Sequence, residues 1–362
     1  MSDPTQQNHP SPPASRPRPS PAVLGLFVLA LGYTLYFARA LLLPLVAAIL
    51  LTFLLSPAIR LLRRLRIPEP VGALVVLVAF LGVSGAGIYE LAGPADDWIR
   101  GAPKTLAQVD ARLRTLAAPL LRFKRTADIV EREATLPDAS APKVAEVVLR
   151  PPQLSTRLFG TTRLLLSGLV ETILLLYFLL ASGDHLLQKV VDILPRMADK
   201  KKAVAIARET EQAIATYLGT ITLINLSVGF LTAIATWGVG LPNPVLWGAL
   251  AALLEFVPYL GSTVMMGLLT VAGLATFDTT GQALLGPLAY FVIATLQANF
   301  ISPMILGHRL TLHPVVIVVG LTFWWGVWGL PGLFLAVPLL AVLKIFCDHI
   351  ESLAPVGELL GR

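Results

Sequence analysis

Charge is what this sequence has least of. Only 14% of its 362 residues are Asp, Glu, Lys or Arg, against 55% hydrophobic, and the mean hydropathy is +0.74. That balance excludes a soluble globule of ordinary composition. Cysteine is nearly missing as well: Cys347 stands alone, which rules out an internal disulfide and any cysteine-based metal site. The sequence also lacks a Gly-x-x-x-x-Gly-Lys-Ser/Thr phosphate loop, a His-Glu-x-x-His pair and a Gly-x-Ser-x-Gly elbow. ATP-driven pumping by this chain and covalent chemistry on a substrate therefore have no residues to carry them. The expectation is a protein that is not an enzyme and needs no cofactor and no metal.

Long apolar runs fill the space that charge leaves. Pro21 to Phe37, Ala40 to Ile59 and Val71 to Leu91 approach the ~20 residues a helix needs to cross ~30 Å of hydrocarbon. Ala38-Arg39-Ala40 has the look of a signal-peptidase site, but a second apolar run follows at once, so the first run is read as a retained membrane helix. Residues 1–20, polar and proline-rich, form a flexible tail. Lys and Arg outnumber Asp and Glu by 28 to 22, yet they cluster beside apolar segments, where they orient helices rather than bind nucleic acid. The basic turn from Arg60 to Arg66 belongs in the cytoplasm by that rule, which puts the N-terminal tail inside with residues 21–92 as the first three membrane helices.

Hydropathy collapses over residues 93–160, where prolines at 94, 103, 119, 137, 142, 151 and 152 predict an extramembrane domain of short helical pieces. Leu106, Val109, Leu113, Leu116 and Leu120 recur at helical spacing and predict an amphipathic stripe, covering a small core or a neighbouring subunit, or lying on a membrane surface. Residues 161–182 form a fourth membrane helix, residues 183–212 a charged cytoplasmic helical stretch, and residues 213–346 a C-terminal membrane transport region. Within that region Tyr217 to Val239 is a fifth span and Pro287 to Phe300 a further crossing. Residues 347–362 are a cytoplasmic tail. The predicted fold is an all-α polytopic membrane protein of about eight membrane segments, two of them broken or re-entrant.

Those two are residues 244–277 and 314–346. Each exceeds thirty residues, so a straight helix would be about 50 Å long against ~30 Å of hydrocarbon. Breakers sit centrally in both: Pro258, Tyr259 and Gly261 in the first, Gly329, Pro331 and Gly332 in the second, with Pro338 further along. Freed backbone groups at membrane depth survive only when buried in protein or lining an aqueous cavity, so paired breaks point to a transporter's pathway. The runs are either hairpins that dip and return or kinked single crossings. Hairpins keep the loop carrying His308 and Arg309 inside, as the positive-inside rule asks.

Polar groups at membrane depth are few. Glu255 lies roughly 16 Å into its run, where a carboxylate couples to a proton or cation, contacts a polar solute, or satisfies broken-helix backbone donors. Glu171, mid-way along the fourth span, is a second membrane carboxylate. Asn225, Gln297 and Asn299 are candidates for interhelical hydrogen bonds or for ligand contact.

The stretch ISPMILGHRLTLHPVVIVVGLTFWWGVWGLPGLFLAVPLLAVLKIF closely resembles the C-terminal signature of the autoinducer-2 exporter family of bacterial permeases. Its landmarks are Pro303 followed by Gly307, His308 and Arg309, then Leu-His313-Pro314, the glycine-rich break, and Ala-Val-Pro338 leading to Lys344. EFVPYLGS, from Glu255 to Ser262, is similar to the family's acidic-Pro-Tyr-Gly element, with Ser262 where a second proline is common and with Trp324, Trp325 and Trp328 crowding the other break. The resemblance implies a multi-pass protein of the bacterial inner membrane with both termini cytoplasmic. It implies a homo-oligomer, with pentamers expected, that exports small polar solutes such as autoinducer-2-like molecules. The partners expected are membrane lipid, such a solute and a coupling proton or cation. A cation/proton antiporter is the nearest rival, and an oligomeric channel or a membrane scaffold protein the alternatives from other classes.

Overall fold

The computed structural model describes residues 21–132, 154–183, 197–306, 312–349 and 353–361. The tail 1–20, Gly307, His308 and Arg309 lie outside them, as do the side chains of Leu113, Leu116 and Leu120. Among the described residues all regular structure is helical apart from one isolated bridge between Leu312 and Gly361. The helices are α1 (Pro21–Phe37), α2 (Arg39–Arg64), α3 (Glu69–Arg132), α4 (Leu154–Ser182), α5 (Met197–Val239), α6 (Pro244–Leu254), α7 (Leu260–Thr276), α8 (Thr280–Leu296), α9 (Ser302–Leu306), α10 (Pro314–Trp328), α11 (Leu330–His349) and α12 (Ala354–Leu360), with a π-helical turn at Gln297–Ile301 between α8 and α9. Among the described residues five helices are long and apolar enough to cross a membrane, within Arg39–Arg64, Glu69–Arg112, Ala207–Val239, Thr280–Ile305 and Leu330–Asp348.

Both long apolar runs are broken where the sequence marks them. The first stops at Leu254 and restarts at Leu260. The second is interrupted at Gly329, whose φ of 65° and ψ of −142° suit glycine and little else. Pro331 does not extend that break. It lies in the first turn of α11, where a missing N–H costs nothing.

α11 outruns the predicted segment, which ended at residue 346. It is 20 residues long, because it continues through Pro338 to the turn holding Lys344 and Asp348, and so reaches spanning length by itself.

The prolines at 94, 103 and 119 do not cut the chain into pieces either. They lie inside α3, which runs unbroken from the third span past residue 93. Tertiary contacts outweigh the local breakers. Trp98 meets Trp247 edge-on with ring centroids 4.9 Å apart, Val109 is buried with Leu274 and Ala283, and Arg112 donates to the Phe277 carbonyl and pairs with Asp278 at 3.6 Å. α4 likewise starts at Leu154, before the expected boundary at 161, and the charged stretch from Met197 onward continues directly into the fifth span as α5.

These contacts also show that the first run folds back. Trp247 near its start and Leu274 and Phe277 near its end all touch the α3 segment 98–112, only about 20 Å of helix. A straight course would hold Trp247 and Leu274 about 40 Å apart. α10 and α11 fold back more closely. A Cβ on Gly332 would strike the Trp324 carbonyl and one on Gly320 the Leu340 side chain, so contacts step away from Gly329 on both helices as an antiparallel pair requires. Such close crossings need small residues.

Candidate functional site

The break between α6 and α7 is built from the chain's own chemistry. Pro258 has no N–H to continue α6, and the α6 carbonyls are closed by short bonds instead: Phe256 N donates to Leu253 at 3.2 Å and Val257 N to Leu254 at 2.9 Å. Tyr259 then takes φ 63° and ψ −50°, and Leu260 N donates back to Pro258 at 2.7 Å, a γ-turn. A non-glycine residue there is strained, as chains tolerate at functional sites. Gly261 lies so close to the end of α6 that a Cβ on it would collide with the Leu254 carbonyl.

Glu255 caps α6 and is half-buried. Its carboxylate accepts from the Ser262 hydroxyl at 3.1 and 3.3 Å and from the Tyr290 hydroxyl at 3.0 Å. Ser262 is in the first turn of α7, where the helix dipole favours a negative group. Tyr290 comes from the middle of α8 and has no solvent exposure. Around them Val228, Trp247, Ala251, Met265 and Leu269 form a buried apolar cluster with the Tyr290 ring. Three elements thus fix one carboxylate with two hydroxyl donors beside a strained turn. A carboxylate so placed can hold a proton or a small cation.

Asn225 stands at the same level of the bundle. Gly229 packs on Ala252, and Gly248 on Ala233, an antiparallel register that sets Asn225, one turn earlier on α5, level with Phe256. Its side chain is 1% exposed and its amide nitrogen has no partner among the described residues. A buried donor left unmatched is costly, and here it sits beside the broken helix.

The second break meets the first. Val257, inside the α6–α7 break, is buried against Leu321 of α10 and Ala336 of α11, with Trp324 and Leu333 packed around them. The tryptophans close this region: Trp324 and Trp328 lie with ring centroids 4.6 Å apart, and the Trp328 indole donates to the Leu35 carbonyl of α1 at 3.1 Å.

Other sequence candidates lie elsewhere. Glu171 is half-buried on α4, which packs against α2 and α3, and no hydrogen bond or ion pair among the described residues reaches it. Asn299 is exposed in the π-helical turn and donates to its own chain at Thr295, 2.9 Å away. Gln297 bonds Ser302 across that turn at 2.8 Å. Pro303 is exposed and Pro338 buried inside α11. His313 caps α10 through Nδ1, accepting from Val315 N at 3.3 Å, and Pro314 is the first residue of that helix. The sequence reading did not single out Tyr290. Its only trace there is a tyrosine midway along a mostly apolar helix.

Residues 26–352 match the family model described as AI-2E family transporter. Two relatives named as putative transport proteins are YrrI of Bacillus subtilis, 25% identical over 86% of this chain and 87% of its own, and YhhT of Escherichia coli K12, 24% identical over 90% of each chain. The E. coli K12 protein named AI-2 transport protein TqsA is 24% identical over 94% of both chains. With its apolar spans, broken helices and a family match over most of its length, this chain is an integral membrane protein of the AI-2E transporter family.

Proposed function

We propose that the protein is a secondary transporter that moves small polar solutes through the region where its two broken segments meet, driven by a proton or cation gradient taken up at Glu255. One observation carries this reading: a half-buried carboxylate beside an apolar cluster, held by Ser262 and Tyr290 at a helix break. An ionised group so placed is expensive unless function retains it. In this reading the segments 244–277 and 314–346 are re-entrant hairpins entering from opposite faces, with Val257 at their contact. The termini are cytoplasmic, and the protein sits in a bacterial inner membrane as a homo-oligomer, a pentamer by family resemblance. The name of the relative TqsA makes autoinducer-2-like molecules the first solutes to try.

The antiporter reading uses the same carboxylate for a cation alone. Proteoliposomes separate the two. Under an imposed pH gradient, saturable uptake of a polar solute supports the carrier, whereas proton movement exchanged for sodium with no solute flux supports the antiporter. Flux that never saturates points to a channel.

A further inference from the structure

The seam between α5 and α6 ends on polar groups that the hydrogen bonds of the fold do not satisfy. Ala233 and Gly229 of α5 lie against Gly248 and Ala252 of α6, so closely that a Cβ on either glycine would meet the other's carbonyl. These positions step by four along both helices, so the next pair on the seam is Asn225 and Phe256. Asn225 is deeply buried, and its Nδ2 donates to nothing among the described residues. The helices packed around it are described at every side chain, α5 from residue 207 onward and α6 and α8 throughout.

At this level α6 has stopped. Phe256 N turns to Leu253, Val257 N turns to Leu254, and Pro258 has no N–H to offer. The carbonyls of Ala252, Glu255 and Phe256 are therefore left without a hydrogen bond among the described residues. A buried donor and several acceptors thus stand at one level without bonding each other. Unmatched groups of both kinds inside a protein are costly, and what relieves them is a bridging group.

The chemistry of that bridge is narrow. No Lys or Arg occurs between Arg208 and Arg309, so nothing on α6, α7, α8 or the remainder of α5 attracts an anion, and the C-terminal end of α6 repels one. A cation meets the N–H side of the Asn225 amide, while the Glu255 carboxylate is already turned to Ser262 and Tyr290. An apolar group satisfies neither side. An uncharged hydroxyl satisfies both, because its oxygen accepts from Asn225 Nδ2 while its hydrogen is donated to a carbonyl.

We propose that Asn225 and the free carbonyls at the end of α6 form a binding site for one uncharged hydroxyl group, which bridges α5 to the broken segment. Two sources share this chemistry: an ordered water molecule, and a hydroxyl group of a transported solute. Only the second source rests on the transport reading. As water the bridge ties the break to its neighbouring helix, and as solute it discriminates against analogues that lack the hydroxyl, since they leave the amide unpaired.

The test is a cryo-electron microscopy map of the full-length oligomer in lipid nanodiscs, fine enough to show ordered water and recorded with and without erythritol. The expected result is a peak ~2.7–3.2 Å from Asn225 Nδ2 and from at least one of the three carbonyl oxygens. A peak that remains a single oxygen in erythritol assigns the site to water, and density that extends into the carbon chain assigns it to solute; either supports the hydroxyl claim. The peak should be lost in Asn225→Leu. Absence of a peak in wild type, a measurement that needs no variant to fold, overturns the proposal. So does a peak ringed by oxygens at ~2.3–2.6 Å with Asn225 presenting Oδ1, the signature of a hard metal cation, and so does a peak unchanged in Asn225→Leu. Occupancy is read without flux, so a Glu255→Gln variant with wild-type pH dependence sinks the coupling reading and leaves this result as it stands.

Discussion

At the residue scale the account turns on how few groups hold Glu255. Tyr290→Phe keeps the buried ring and removes only the hydroxyl that donates at 3.0 Å. A hydrogen bond to a charged group is worth ~1.5–3 kcal/mol, so this variant is expected to assemble normally and to transport at least about tenfold more slowly, or with a displaced pH profile, in a proteoliposome assay. Wild-type flux at every pH would show that the hydroxyl does not serve the carboxylate. The residue level was only half legible. Glu255, Pro258 and Gly261 announced themselves because charge and helix breakers are conspicuous in an apolar run. Ser262 showed only as a departure from the family's pattern and Tyr290 not at all, because a tyrosine in a span is ordinary, and only the fold brings the two hydroxyls within 3.3 Å of the carboxylate. Asn225 was visible as a polar residue in a span, but its unmatched donor follows from the register of α5 on α6.

At the element scale the breaks are held by glycines pressed against backbone. A methyl group on Gly261 meets the Leu254 carbonyl and must push α7 from α6. Gly261→Ala should therefore cost ~1–3 kcal/mol as overpacking does, seen as a lower melting temperature of the purified protein together with reduced flux. Gly329→Ala should cost a similar ~1–3 kcal/mol through its positive φ, with α10 and α11 still formed. An unchanged melting temperature in both would mean that neither the close approach at Gly261 nor the positive φ at Gly329 is a structural constraint. Break positions were readable from proline and glycine alone. The continuity of α3 was not, because proline argues locally for an end and the contacts that keep the helix going, Trp98 on Trp247 and Arg112 on Phe277, come from residues more than a hundred positions away.

At the scale of the whole molecule the reading is two hairpins entering from opposite faces, and it fixes which loops face which side. In a Cys347→Ser background, Thr280→Cys should react with a membrane-impermeant thiol reagent from outside and Met304→Cys only from inside. Both positions are exposed in the folded chain. Kinked single crossings require the reverse pattern. The C-terminal segment offers a further check on assembly of the second hairpin. His313 N donates to the Leu360 carbonyl at 3.1 Å, and Gly361 packs on Lys344, which pairs with Asp348 at 2.7 Å. Deleting residues 353–362 should lower the melting temperature by several degrees and speed proteolysis near His313, and unchanged values would make α12 an ornament. The all-helical class and the family were evident in composition and signature, whereas the meeting of the two breaks at Val257 needed the fold. The central claim is that Glu255 couples transport to a gradient, and the most direct measurement is solute flux against pH for wild type and Glu255→Gln at matched oligomer content. Glu255→Gln preserves size and hydrogen-bonding capacity while removing the exchangeable charge. The account predicts a flat, low profile for the variant with solute binding retained; two curves of the same shape and amplitude would contradict it.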